Sequence, residues 1–318
     1  MVEQLSLFPV GEAEKPVETP SVAEASAPLT VHTSLAAAMH PFRDFMRQQG
    51  FTQHTIASFL GDMRLVMRRL GRGTAVGTVT TKQLQGFLTW LSHGRGVPCS
   101  PKSYARRVTT LKVFFGWLKE VGVLPADPSA PIPQQRADSP LPQILYAAQI
   151  EELLTTTRGL MFADKPDTRP HLLVSLLLAT GIKKQECMGI RLSHIDLSDA
   201  AAPAVYIRYD NARYRLKERK LRLPDDFAAT LARYQEQYHP RVYLFECTAR
   251  NLEYVLTDLA KRAGLPEGLS FEMLRWTCAV RDYQAGMDED LLRQKLGLSP
   301  ITWQQTGEKL RRLARPPL

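Results

Sequence analysis

The chain has 318 residues, 44% of them hydrophobic, too many for a single small core and too apolar for a chain unfolded throughout. Lys and Arg number 41 against 32 Asp and Glu, a net charge of +9 that favours an acidic partner, and a polyphosphate backbone is the commonest one. Cys99, Cys187, Cys247 and Cys278 form no CxxC pair, Glu3 stands where a signal peptide is basic, and no apolar run approaches the roughly 18 residues of a membrane span; a zinc site, a disulfide framework and a membrane partner are all disfavoured, and a cytoplasmic protein is expected.

Residues 1–32 are rich in Pro, Glu, Ala, Val and Ser without helical or strand period, a composition expected to remain a disordered tail. Within it Gln4, Leu5, Ser6, Leu7 and Phe8 place a polar anchor before apolar side chains that could fill a pocket. This resembles the peptide by which bacterial repair and replication proteins dock on the DNA polymerase sliding clamp; a chance apolar patch is the alternative.

Residues 33–123 carry helical periodicity throughout. Phe42, Phe45 and Met46 make one stripe; Thr52 can cap a second helix with Ile56, Leu60, Met63, Val66, Met67 and Leu70, closed by Gly71 and Gly73. Thr81 opens a third with Leu84, Phe87, Leu88 and Leu91, and Ser100-Pro101 a fourth with Tyr104, Val108, Leu111, Phe114, Phe115, Trp117 and Leu118. The outward positions are basic: Arg64, Arg68, Arg69 and Arg72 on the second helix, and Lys102, Arg106, Arg107 and Lys112 on the fourth. Two like-signed stripes favour a surface that tracks phosphates over an ordinary solvated face.

Residues 124–145 hold six prolines and no period, which predicts a stiff, extended linker. Residues 146–318 then read as mainly helical: a helix with Ile150, Leu153 and Leu154, an apolar helix from His171 to Thr180 stopped by Gly181, and a segment from Lys183 to Ile190. Val205 to Tyr209 and Lys220 to Pro224 alternate apolar and basic residues as a half-buried hairpin does. The expected fold is mainly α, a four-helix domain followed by a mostly helical domain with one small antiparallel sheet.

This layout, with particular strings, resembles the tyrosine recombinase or phage-type integrase family over roughly residues 34–313. The strings are Thr55 to Met63, Ser100 to Val108 and Leu111 to Leu118 in the first domain. In the second they are Leu178-Ala-Thr-Gly-Ile182 with Glu186 and Asp196, then Leu244-Phe245, Gly264-Leu265, Met273-Leu-Arg275 and Leu296-Gly297. The resemblance implies a SAM-like core-binding domain, a catalytic-type domain, and double-stranded DNA held between them. It also implies a chemistry in which a tyrosine hydroxyl attacks a DNA phosphodiester, two arginines hold the non-bridging oxygens, and a hairpin lysine and two histidine-like groups move protons, with no metal or nucleotide cofactor.

Position by position the family's site is mostly replaced. Lys183 stands for the first arginine and loses its bidentate fork. The family's His-x-x-Arg-His reads Glu272-Met-Leu-Arg275-Trp276, so Arg275 alone survives there; Leu298 stands for the next histidine, or tryptophan, and Gly307 for the tyrosine. No tyrosine follows Tyr283. Lys217 is the nearest candidate for the hairpin lysine, without the usual Gly-Lys-Gly turn, and Arg213, Arg215 and Arg219 around it suit backbone contacts.

The expected function is therefore duplex DNA binding without cleavage, in a structural or regulatory role in recombination or integration, beside an active recombinase or its own copies. One alternative is an active recombinase using another hydroxyl, such as Thr302 or Thr306, or a neighbouring subunit's tyrosine. A third reading is a scaffold at the sliding clamp.

Overall fold

A computed structural model of the chain describes residues 28–97, 99–134, 140–265 and 268–315, with the Arg213 side chain outside that description. The clamp-like peptide Gln4, Leu5, Leu7 and Phe8 lies outside the described residues. The chain divides at Pro140 into two compact units.

The first unit packs four helices: α1 (Met39–Gln48), α2 (Gln53–Leu70), α3 (Thr81–Thr89) and α4 (Pro101–Glu120). Their starts are chemically marked. Thr52 Oγ1 accepts from the Thr55 amide at 3.2 Å and Ser100 Oγ from the Ser103 amide at 3.3 Å, each satisfying a donor left free at a helix N-terminus. At α3 the cap is Thr80, whose amide donates to Gln83 Oε1 at 2.8 Å while Gln83 returns its own amide to Thr80 Oγ1 at 3.3 Å. The stripes of α1, α2 and α4 meet in an aromatic core in which Phe42 lies edge-on to Phe114 with centroids 5.0 Å apart. Trp117 covers Phe45 with centroids 5.4 Å apart.

Of residues 124–145, expected as an extended linker, the part up to Gln134 folds back on this unit. Leu124 and Ile132 are buried in its core, and Lys112 Nζ donates to the carbonyls of Ser129 and Ala130 at 3.4 and 3.2 Å. Proline content measured stiffness there, but the apolar side chains between the prolines decided the path.

The second unit is built around α6 (Arg169–Thr180), which is apolar on nearly every face and is packed by α5 (Ala147–Met161), α8 (Phe227–Tyr238), α9 (Ala249–Arg262) and α10 (Phe271–Gln284). Three shorter helices, α7 (Lys184–Met188), α11 (Glu289–Lys295) and α12 (Pro300–Leu313), complete the helical part. A sheet of β1 (Ile195–Asp196), β2 (Ala204–Ile207) and β3 (Arg219–Arg222) is antiparallel throughout, with Val205 opposite Leu221 and Ile195 opposite Val205. Val205, Ile207 and Leu221 face the core while Lys220 and Arg222 face out, the alternation of a one-sided sheet. The protein is thus mainly α with one small antiparallel sheet, its first unit four-helical. Among the described residues no helix is long and apolar enough to cross a membrane.

Candidate functional site

The second unit's polar centre forms where α6 ends. Gly181 closes that helix at φ +60, and a Cβ there would come within 3.0 Å of Leu296 Cδ2 and 3.2 Å of Cys278 Sγ, so only glycine makes this turn against α10 and the end of α11. Its carbonyl accepts from Arg275 on α10, whose other terminal nitrogen donates to the Leu296 carbonyl at 2.7 Å. Arg275 is 7% exposed. Burial holds it below the ordinary arginine range, Glu186 and Glu272 opposing the shift. It therefore fastens three chain segments as well as contributing charge.

Glu186 on α7 is buried beside it. Arg219 on β3 grips its carboxylate at 3.0 and 3.2 Å, the Lys183 amide donates at 2.8 Å, and the Tyr209 hydroxyl donates as well. Burial alone would raise the Glu186 carboxyl; the Arg219 hydrogen bonds and charge outweigh it and leave the group below the usual carboxylate range. Burial and the same carboxylate push the Tyr209 hydroxyl up to about 12. Arg219 further donates to the carbonyls of Lys295 at 2.6 Å and Lys217 at 3.0 Å.

Around this centre the replaced family positions come together. Lys183, Glu272, Arg275 and Leu298 line one cavity of about 250 Å³ with Trp276, Thr302 and Thr306. Trp276 Nε1 donates to Glu272 Oε1 at 2.8 Å. Burial lowers Lys183 below an ordinary lysine, Glu186 pulling it back while Arg275, Lys217 and Arg219 push further down. Gly307 is not among the cavity's lining residues: it is buried midway along α12, where an added Cβ would stand 3.2 Å from two atoms of the Trp303 indole.

A second and larger cleft, about 1280 Å³, is lined by Lys183, Arg191, Arg208, Arg215 and Lys217, with Tyr209, Tyr214 and Tyr243 among them. Lys183 belongs to both hollows. Separately, the first unit carries an exposed row on α2, Arg64, Arg68, Arg69 and the following Arg72, and exposed Lys102 on α4; none of these forms a salt bridge among the described residues. Nor do the described residues hold a group of three or more His, Cys, Asp or Glu side chains arranged to take a metal ion.

Several cations expected at the surface are turned inward. Asp62 of α2 is 3% exposed. It draws Arg106 into a two-pronged contact at 2.7 and 2.9 Å and Arg107 to 3.3 Å, with Thr110 Oγ1 donating at 3.1 Å. Arg107 is consequently buried, a correction to its outward placement, and Arg106 is paired although its side chain is 44% exposed. Arg219 is largely covered and paired with buried Glu186, and Lys112 is engaged with the Ser129 and Ala130 carbonyls. Arg215 is exposed at the larger cleft. Sequence reading missed Asp62, Tyr209 and Thr110. Asp62 carried a usable signal, a carboxylate inside the apolar stripe of Phe59, Met63 and Val66 that cannot be buried without a cation.

The pattern of the Phage integrase family matches residues 143–305, and that of the Phage integrase, N-terminal SAM-like domain, residues 42–122. A tyrosine recombinase XerC of Lacticaseibacillus casei is 26% identical over 282 residues, covering 85% of this chain and 91% of its own. Among solved structures, a lambda integrase dimer bound to a COC' core site aligns with TM-score 0.68 at 15% identity, covering 90% of this chain and 79% of that one. A lambda integrase fragment bound to DNA aligns with TM-score 0.63 at 15% identity, covering 85% and 94%. With one family pattern spanning more than half of its length and the companion domain covering the first unit, the chain belongs to the phage integrase family of tyrosine recombinases.

Proposed function

We propose that this chain binds double-stranded DNA and does not cut it, acting as a structural or regulatory partner in recombination or integration, beside an active recombinase or its own copies. The observation that carries the reading is at Gly307: the position where the family places its nucleophile holds no side chain and is roofed by Trp303. The surrounding groups point the same way. Lys183 offers a single point charge where a planar fork would hold two phosphate oxygens. Glu272 lines the cavity and repels a phosphate, and Leu298 can neither donate nor accept a proton. Losing a nucleophile alone removes many powers of ten in rate, and groups that act as a unit do not compensate for one another.

Binding has its own support. The exposed row at α2 forms no salt bridge among the described residues, and the larger cleft is lined by six Lys or Arg against three carboxylates, a surplus of positive charge suited to a phosphate backbone. The relatives that share this fold include a lambda integrase bound to DNA and a dimer on its core site. One observation favours a second reading, an active recombinase with a substitute hydroxyl: Thr302 and Thr306 line the same cavity as Arg275 and Lys183.

A single experiment separates them. Purified protein is mixed with fragmented genomic DNA of its source, retained fragments are recovered and sequenced, and half of the bound sample is run on a denaturing detergent gel. Retained fragments with all protein running free of DNA is the expected result. A detergent-stable adduct overturns the non-cleaving reading, and mapping it identifies the hydroxyl.

A further inference from the structure

Leu216 is the most exposed large apolar side chain among the described residues, at 102% of its reference accessibility, and it stands between Arg215 and Lys217 on a 3-10 turn, Ala212–Lys217. A single exposed leucine is ordinary. This one is unusual in how firmly its turn is held. The Tyr209 amide donates to Glu218 Oε1 at 3.0 Å, the Glu218 amide to the Arg215 carbonyl at 3.0 Å, and Arg219 to the Lys217 carbonyl at 3.0 Å. The Tyr209 and Tyr214 rings pack with centroids 5.7 Å apart, and Lys217 Nζ lies 5.2 Å from the Tyr214 ring centre. The base of the turn is thus braced on the buried Glu186–Arg219 pair, and the leucine is presented rather than trailing.

Its surroundings say what it is presented to. Arg215 and Lys217 line the larger cleft, whose lining carries six Lys or Arg against three carboxylates, one of them Glu186, already bound to Arg219. An apolar tip with cations on both sides complements a partner that is anionic outside and apolar within. A DNA duplex is such a partner, with phosphates along its rim and stacked bases between them. A hydrophobic protein surface would leave Arg215 and Lys217 unmatched.

We propose that Leu216 is a wedge that enters between two base pairs of a bound duplex and partly unstacks them, while Arg215 and Lys217 hold the phosphates on either side. Leucine is among the side chains suited to this role, because it fills a base step without hydrogen-bonding demands of its own. The proposal rests on the reading that the chain binds duplex DNA. Unstacking costs free energy, and costs least where a mismatch has already loosened the step, so a wedge shows itself as a preference for mismatched duplex.

The test uses the full chain and a fluorescein-labelled 40-base-pair duplex of arbitrary sequence, fully paired or with one central mismatch, followed by anisotropy at low salt. The wild type is expected to favour the mismatched duplex by about tenfold. Leu216→Ser loses that preference, whereas Ile301→Ser, at an exposed aliphatic residue on α12, keeps it. In Leu216→Trp the introduced indole is quenched on binding as it stacks on a base. Equal affinity of the wild type for the two duplexes, an unchanged preference in Leu216→Ser, or no quenching in Leu216→Trp each overturns the wedge while leaving DNA binding intact. Failure to bind either duplex overturns DNA binding and the wedge together.

Discussion

The outer face of α2 and the buried junction of α7, β3 and α10 treat the same residue type in opposite ways. Arg64, Arg68 and Arg69 on α2 and Arg72 just after it are exposed and form no salt bridge among the described residues. At the junction, Arg219 is largely covered and Arg275 is buried, the first saturated by Glu186 and two carbonyls, the second fastened to the carbonyls of Gly181 and Leu296. The difference teaches that net charge overstates the capacity for phosphate: an arginine with a buried carboxylate beside it is part of the fold, and one without is free to bind.

The largest effect that could break this comparison is structural. Arg219→Ala leaves the Glu186 carboxylate buried without its cation and should cost about 3–5 kcal/mol in urea unfolding of the full chain. The double variant Glu186→Leu with Arg219→Met should recover most of that loss, since a buried pair replaced by matched apolar groups is often near neutral. A loss below about 1 kcal/mol in the single variant would mean the pair is hydrated and the contrast with α2 is wrong.

Next in size is DNA affinity. Replacing Arg64, Arg68, Arg69 and Arg72 together by Ala should weaken duplex binding and reduce the slope of log affinity against log salt by about 3–4, because each phosphate contact releases close to one counterion. The unfolding midpoint should barely move, surface substitutions of this kind typically costing within about 0.5 kcal/mol each. A changed midpoint with an unchanged salt slope would reverse the roles assigned to the two regions.

A smaller effect sharpens the position of Gly307. Gly307→Tyr forces a side chain against the Trp303 indole and should cost about 1–3 kcal/mol by overpacking. The same variant should give no covalent adduct on the denaturing gel, since Lys183, Glu272 and Leu298 remain. An adduct would show that the cavity lacks only its nucleophile.

The smallest is a pH effect. Lys183 is held below the ordinary lysine range by burial and by neighbouring cations, with Glu186 opposing. A cation with a lowered pKa loses its proton at lower pH, so DNA affinity should begin to fall earlier on the alkaline side in the wild type than in Lys183→Arg. Superimposable pH profiles in an anisotropy titration would remove Lys183 from the binding surface.

How much of this was legible in the sequence follows from how far each signal reaches along the chain. The four helices of the first unit announce themselves through local features: stripes at helical spacing, Thr52 and Ser100 as caps, Gly71 as a stop. Motif order likewise marked Lys183, Glu272, Arg275 and Leu298, and the fold gathers all four around one cavity. The burial of Arg107 and the pairing of the exposed Arg106 were legible only in part: Asp62 inside an apolar stripe signals a carboxylate in need of a cation, but it lies on a different helix, and periodicity does not name its partner. β1 escaped notice because two residues cannot display an alternation, and the folded-back stretch after Leu124 because prolines obscured the apolar residues between them.

Gly297 carries a consequence of an evolutionary kind. It adopts φ +60, and a Cβ there would fall 2.7 Å from Arg219, whose position is dictated by Glu186. Positions 186, 219 and 297 therefore form one heritable unit, in which a change at any member is penalised while the other two stay. Gly307 has no buried ion pair beside it among the described residues: an added Cβ would meet the Trp303 indole at 3.2 Å and the tip of Arg311 at 3.4 Å, both side chains of its own helix. The scaffold around the cavity is thus inherited as a unit, independently of what stands at position 307.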